Sequence, residues 1–350
     1  MNLPKSRAIG FTCAYTPIPL IEAAGFRPFR ILPMGDSEDR AGQWLHDNIC
    51  PHVKRVLDRS LGGDLPSDMA GVIIMNSCDA MRRLADAWRR VKPDDPVICV
   101  DLPIQCDERS VSFFATQLKE IAAWLGELTG SALAETDIIA AIKRFNELSD
   151  HFSRLQKGLS TGGLEGGANR LQSLYNKVAT REVAASIDEL AQIECGESSR
   201  QGGVPVFVFG NVMPDPEAMS LFESCGARIV DEDMCTGSRL FKPVRLEESD
   251  DVFTALAKSF LSGDGCARTI DANDPGKAPR DLLERARLAG ARGIIGHTVK
   301  FCDPYISRMP AIRGFMRAAN MPFLLLEGDC TLRSIGQHRT RIEAFIEMIG

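Results

Sequence analysis

A chain of 350 residues is long for one hydrophobic core and comfortable for two. Its 44% hydrophobic and 25% charged residues exclude a disordered or fibrous protein. A formal net charge of -6, a pI near 5.5 and the lack of any long Lys/Arg block speak against a nucleic-acid surface. In chain order, short apolar runs predict strands at AIGF (8–11), RPFRIL (27–32), GVIIM (71–75) and PVICV (96–100). A second set of four follows at PVFVFG (205–210), ARIVD (227–231), GIIG (293–296) and FLLLE (323–327). Between the sets, FFATQLKEIAAWLGELTG and DIIAAIKRFNELSDHF carry apolar residues at helical spacing, interrupted by the glycine-rich STGGLEGGANR and closed by SRQGG (199–203). The expected architecture is α/β with parallel sheets: a first lobe over 1–107, a helical insertion over 108–202 and a second lobe over 203–350.

No run reaches the roughly 18 apolar residues of a membrane span, and the opening MNLPKSRAIGFTCAYTP lacks the apolar core of a signal peptide. A cytoplasmic protein with no membrane partner is expected. Eleven cysteines, at 13, 50, 78, 99, 106, 195, 225, 235, 266, 302 and 330, form no compact disulfide framework. In a reducing compartment they are core thiols, metal ligands or catalysts.

The two strand sets follow one plan, so that Cys78 and Cys302 take equivalent places. Cys13, Cys78, Asn211, Cys302 and Asp329 all come just after a predicted strand, and in open parallel sheets the ligand crevice lies outside those ends. In NSCDAMRRLADAWRR, Ser77 or Asp79 can cap a helix whose N-terminus would favour a Cys78 thiolate. FCDPY repeats the arrangement around Cys302, with Asp303 as a cap and Pro304 in the first turn. Cys50 in DNICPHVKR precedes a proline at a predicted helix start, and Cys235 in EDMCTGSR follows a strand. Each has a bland alternative as a buried thiol or part of a tight turn. His297 and Lys300 flank the Cys302 segment as possible catalytic groups, His297 as a partner for a nucleophilic cysteine or as a structural histidine. His338, Arg339 and Arg341 in GQHRTRIEAF could hold a phosphate or serve a helix N-terminus. HExxH, GxSxG and a Walker-type phosphate loop are all absent, and no close-spaced ligand pairs suggest zinc. Iron-sulfur clusters can use widely separated thiolates.

GFTCAYTPIPLIEAAGFRPFRI, NICPHVK, NSCDAMRRLADAWR, DEDMCTGSR, KFCDPY and GQHRTRIEAFIEMIG occur in order from about residue 8 to the C-terminus. Together they resemble the 2-hydroxyacyl-CoA dehydratase subunits, whose relatives include benzoyl-CoA reductase subunits and double-cubane-cluster reductases. The resemblance implies two flavodoxin-like lobes holding a 4Fe-4S cluster in the interlobe cleft through Cys50, Cys78 and Cys302, with Cys13 and then Cys235 in reserve. It implies radical dehydration of an acyl-CoA, started by one electron from an ATP-hydrolysing iron-sulfur activator. Lacking a phosphate loop, this chain would need that activator as a separate partner, beside a homologous second subunit or a second copy of itself. The sequence lacks the extra cysteine-proline motif that double-cubane members often carry between the positions of Cys50 and Cys78. A benzoyl-CoA reductase-like or double-cubane-type subunit, a non-catalytic electron-transfer member and a metal-free two-lobed binding protein are the alternatives.

Overall fold

The computed structural model describes residues 6–34, 38–196, 202–248, 250–262 and 266–350, apart from the Ile335 side chain. All eight expected strands form. β1 (Ala8–Phe11), α1 (Ile18–Ala23), β2 (Arg27–Arg30), α2 (Pro51–Gly62), β3 (Met69–Asn76), α3 (Asp79–Val91) and β4 (Val97–Asp101) build a parallel sheet in the order β2-β1-β3-β4. Four helices follow: α4 (Glu108–Thr129), α5 (Glu135–Thr161), α6 (Gly167–Val178) and α7 (Val183–Ala191). The second parallel sheet, β6-β5-β7-β8, is made by β5 (Val204–Gly210), β6 (Ala227–Met234), β7 (Gly293–Val299) and β8 (Phe323–Gly328). Its helices are α8 (Pro216–Ser224), α9 (Val252–Leu261), α10 (Lys277–Leu288), α11 (Asp303–Ala318), α12 (Leu332–Gly336) and α13 (Arg339–Ile349). Both sheets have the flavodoxin-like order 2-1-3-4.

The central strands are sealed on both faces by crossover helices, which is why they read as unbroken apolar runs. Every residue of β7 is buried. The helical stretch shares its core with the sheets: Ile9 and Phe11, then Phe114 and Phe145, then Val206 and Phe222 belong to one continuous apolar cluster. Phe152 of α5 stacks between Tyr175 of α6 and Phe241 of the second sheet's loops, with ring centroids 4.6 and 4.4 Å away.

Three expectations need correction. β3, β6 and β7 run past the apolar runs to Asn76, Met234 and Val299, so His297 lies within a strand. β2 ends at Arg30, two residues short of the apolar run. Neither Ser77, Asp79 nor Asp303 is the cap residue: Cys78 and Cys302 occupy those positions themselves. Residues 199–201 of the expected exit turn, and the first five of the opening stretch, lie outside the described residues. Among the described residues no helix is long and apolar enough to cross a membrane.

Candidate functional site

Cys50, Cys78 and Cys302 are each the N-cap residue of a helix: α2, α3 and α11. The first two helices belong to the first sheet and the third to the second sheet. An N-cap normally offers an oxygen to the unpaired N–H groups of the first turn. Here sulfur stands in that place. Backbone N–H groups of His52 and Val53 point at Cys50, those of Met81 and Ala80 at Cys78, and that of Tyr305 at Cys302. The Asn211 side-chain amide, at the end of β5, also reaches Cys302.

The three thiols sense one another. Burial pushes Cys50 up to about 12, with neighbouring Cys302 and Cys78 adding to the rise. Burial likewise raises Cys302 to about 11, with a further contribution from Cys78. Cys78 is raised by burial too. Without a cation the three are therefore held as neutral thiols. A bound cation would invert that balance, since it stabilises thiolates that the helix N-termini already favour.

Several contacts fix this end of the second sheet. Gly210 brings β5 so close to β7 that a Cβ there would lie 2.0 Å from the His297 carbonyl oxygen. The Asn211 carboxamide oxygen accepts from Val212 N (2.8 Å) and Val299 N (3.1 Å), which aims its amide toward the turn into α11. Beneath that turn, Arg239 and Asp233 form an ion pair at 2.8 Å, each side chain only 4% exposed. Arg239 also donates to Gly210 O (2.8 Å) and to the Tyr305 hydroxyl (2.6 Å), which itself donates to Gly210 O. Burial works to raise Asp233, but the Arg239 and Arg285 guanidinium groups overcome it and hold the carboxyl at about 2.

The residue before Cys302 is strained. Phe301 has φ +58°, the left-handed region that favours glycine, and its ring is 42% exposed. Replacing it with glycine should raise the urea unfolding midpoint by an amount worth up to about 1 kcal/mol, while Phe301→Ala, which keeps the Cβ clash, should not.

Cys78 lines a cleft of about 710 Å³ in which Arg82, Arg268 and Arg308 are matched by Asp79, Asp101 and Asp303. A groove of about 540 Å³ is lined by Ile49, Pro51, Lys300 and Phe301, the chain neighbours of Cys50 and Cys302. Lys300 therefore stands exposed on a rim. His297 is fully buried, with neither ring nitrogen hydrogen-bonded among the described residues. Burial lowers its pKa to about 4. Stability is accordingly complete above the unfolded value near 6.5 and falls as pH drops toward 4, because only the unfolded chain then takes up the proton. Between pH 7.5 and 5 the wild type should lose about 2 kcal/mol more than His297→Leu, measured by urea unfolding at both pH values.

Cys13 lies apart from the three, whereas Cys235 also packs against the apolar group that holds Cys50, Cys78 and Cys302. With Tyr15, Arg239 and Cys266 they line a separate cavity of about 40 Å³. The buried Arg30 donates to the Cys235 sulfur (3.1 Å) and carbonyl (2.6 Å), and Tyr15 shares a 2.6 Å hydrogen bond with Thr269. The GQHRTRIEAF cations are spent on structure: His338 bonds Glu327 O (2.8 Å), Arg341 donates to Leu325 O (2.9 Å) and Arg339 to Ser224 Oγ (3.1 Å). Sequence reasoning passed over Cys330, Arg30 and Cys266. Cys330 could have been found, since it follows a strand end as the chosen cysteines do.

Among the described residues no group of three or more His, Cys, Asp or Glu side chains is placed to hold a metal ion. Thiolate-only donors spread over three helix ends, Cys50 buried and Cys78 and Cys302 half-buried, suit a polynuclear iron-sulfur group, whose ligands are spaced by the inorganic core.

Together these features define a two-lobed α/β protein of flavodoxin-like topology with cysteines at three helix N-termini. The chain belongs to the 2-hydroxyglutaryl-CoA dehydratase, D-component family, whose model matches residues 13–349. It is 25% identical to the (R)-phenyllactyl-CoA dehydratase beta subunit of Clostridium sporogenes, covering 100% of this chain and 93% of that one. It is 23% identical to the lactoyl-CoA dehydratase subunit beta of Anaerotignum propionicum (98% and 91% covered). A benzoyl-CoA reductase subunit from Thauera aromatica is 22% identical (92% and 85%).

Proposed function

We propose that this chain is an iron-sulfur subunit of a 2-hydroxyacyl-CoA dehydratase-type system, holding a 4Fe-4S cluster through Cys50, Cys78 and Cys302. The observation that carries the reading is the placement of these three cysteines as N-caps of three helices drawn from both sheets, with backbone N–H groups at each sulfur. When bound, such a group supplies the low-potential one-electron chemistry that radical elimination of water from an acyl-CoA requires. The chain's own residues do the rest. Helix N-termini favour the thiolates, Asn211 and the Arg239–Asp233–Tyr305 network fix the Cys302 end, and the buried surroundings keep water away. The 710 Å³ cleft beside Cys78 carries Arg82, Arg268 and Arg308 matched by Asp79, Asp101 and Asp303, a lining of mixed charge for a polar ligand.

The relatives named as beta subunits support a homologous partner subunit. A separate ATP-dependent activator and a cytoplasmic setting complete the reading. The benzoyl-CoA reductase relative supports a second one, in which the same site serves an acyl-CoA reductase. The test is anaerobic purification with iron and sulfide quantification and EPR, followed by an acyl-CoA binding screen. Brown protein with about four irons per chain is expected; protein that stays colourless and iron-free after anaerobic reconstitution defeats the proposal.

A further inference from the structure

Cysteines outside the proposed site also meet. Cys13, in the loop after β1, and Cys235, the first residue past β6, line one cavity of about 40 Å³ with Tyr15, Arg239 and Cys266. Such a volume admits a molecule of a few atoms, a water or hydrogen peroxide, and excludes a bulky disulfide such as oxidised glutathione. Against Cys235 lies Arg30, the last residue of β2 and only 1% exposed. Among the described residues this guanidinium has no carboxylate partner; it donates to the Cys235 sulfur at 3.1 Å and to the Cys235 carbonyl at 2.6 Å. A buried cation needs a compensating charge, and of the two groups it donates to only the sulfur can carry one. A thiol so placed is the nucleophile of its set. Cys13 has the opposite character. It is buried, and its pKa is raised by that burial first and then by the nearness of Cys235, which keeps it a neutral thiol. Cys266 is raised by burial too, but its strongest charged neighbour is Arg239 and not a cysteine.

We propose that Cys235 and Cys13 form a peroxide-sensitive thiol pair, with Cys235 as the attacking sulfur, Cys13 as the resolving one and Arg30 as the residue that positions Cys235. In the first step the Cys235 sulfur attacks one oxygen of hydrogen peroxide and the O–O bond breaks. Cys235 is oxidised to the sulfenic acid, the peroxide is reduced, and the departing hydroxide takes up a proton as water. In the second step Cys13 gives up its proton and its sulfur attacks that of Cys235. The S–O bond breaks, and the hydroxide leaves with that proton as water. Two thiols and one peroxide thus become one disulfide and two waters. Cys13 belongs to the first lobe and Cys235 to the second, so the bond fastens the lobes to each other. The pair needs no metal and stands independently of the reading above.

The test takes the full-length chain purified anaerobically, adds an equimolar amount of hydrogen peroxide, blocks the remaining thiols with N-ethylmaleimide and maps the non-reduced digest by mass spectrometry. The expected product is a pair of peptides joined through Cys13 and Cys235 that dithiothreitol separates. Cys13→Ser should abolish that product and leave Cys235 as a sulfenic acid that dimedone labels. Arg30→Gln should slow the oxidation of Cys235 roughly tenfold, while Arg30→Lys, which keeps the charge, should retain most of the rate. A Cys235 that pairs with Cys266 or Cys50 instead, or that stays unmodified while other thiols react, overturns the proposal. So does an unchanged rate in Arg30→Gln protein whose circular dichroism shows it folded.

Discussion

Cys50→Ala, Cys78→Ala and Cys302→Ala should each cut bound iron from about four per chain to below one after anaerobic reconstitution, whereas Cys13→Ala and Cys235→Ala should leave it unchanged. The argument is positional. The first three sulfurs sit at the heads of α2, α3 and α11 and interact electrostatically with one another, so losing any one removes a corner of the site. Cys13 and Cys235 line another cavity with Tyr15 and Cys266, and neither caps a helix, although Cys235 also packs against the apolar group of Cys50. Loss of fold is not the expected cause, because replacing a single N-cap residue typically costs about 1 kcal/mol. Iron and sulfide assays on the five variants, with far-ultraviolet circular dichroism of each, decide the matter. Retained iron in any of the first three removes that residue from the ligand set.

The second large effect is expected at Asp233. Asp233→Ala should destabilise the protein by about 3–5 kcal/mol, since it strands the Arg239 guanidinium, 4% exposed, without its carboxylate. The loss should spread to α11, because Arg239 also donates to Tyr305, in the first turn of the helix that Cys302 caps. Replacing both partners by apolar residues, as in Asp233→Leu with Arg239→Met, should recover much of the stability, because no charge is then left buried. Urea unfolding of the two variants measures both effects. If the single change costs less than about 1 kcal/mol, the pair does not anchor this end of the sheet.

Strand positions were legible because buried parallel strands are continuous apolar runs, and GVIIM, PVFVFG and GIIG could hardly be anything else. The strand ends were not. Asn76, Glu232 to Met234 and His297 to Val299 are polar or mixed, yet the neighbouring strand continues to bond them. The caps were misassigned for a related reason. Local propensity favours Ser77, Asp79 or Asp303, but the chain direction set by the strand end puts sulfur at the head of each helix.

By itself the sequence determined the fold class, the two copies of one strand order and the cysteines worth watching, since these follow from periodicity, turn chemistry and position after strands. Only the tertiary structure decided which cysteines meet. Residues more than 200 apart come together because two parallel sheets turn their carboxyl ends toward one another, and no local spacing encodes that approach. The same packing placed Cys13 beside a different cavity, and left Cys235 between that cavity and the apolar group of Cys50, Cys78 and Cys302.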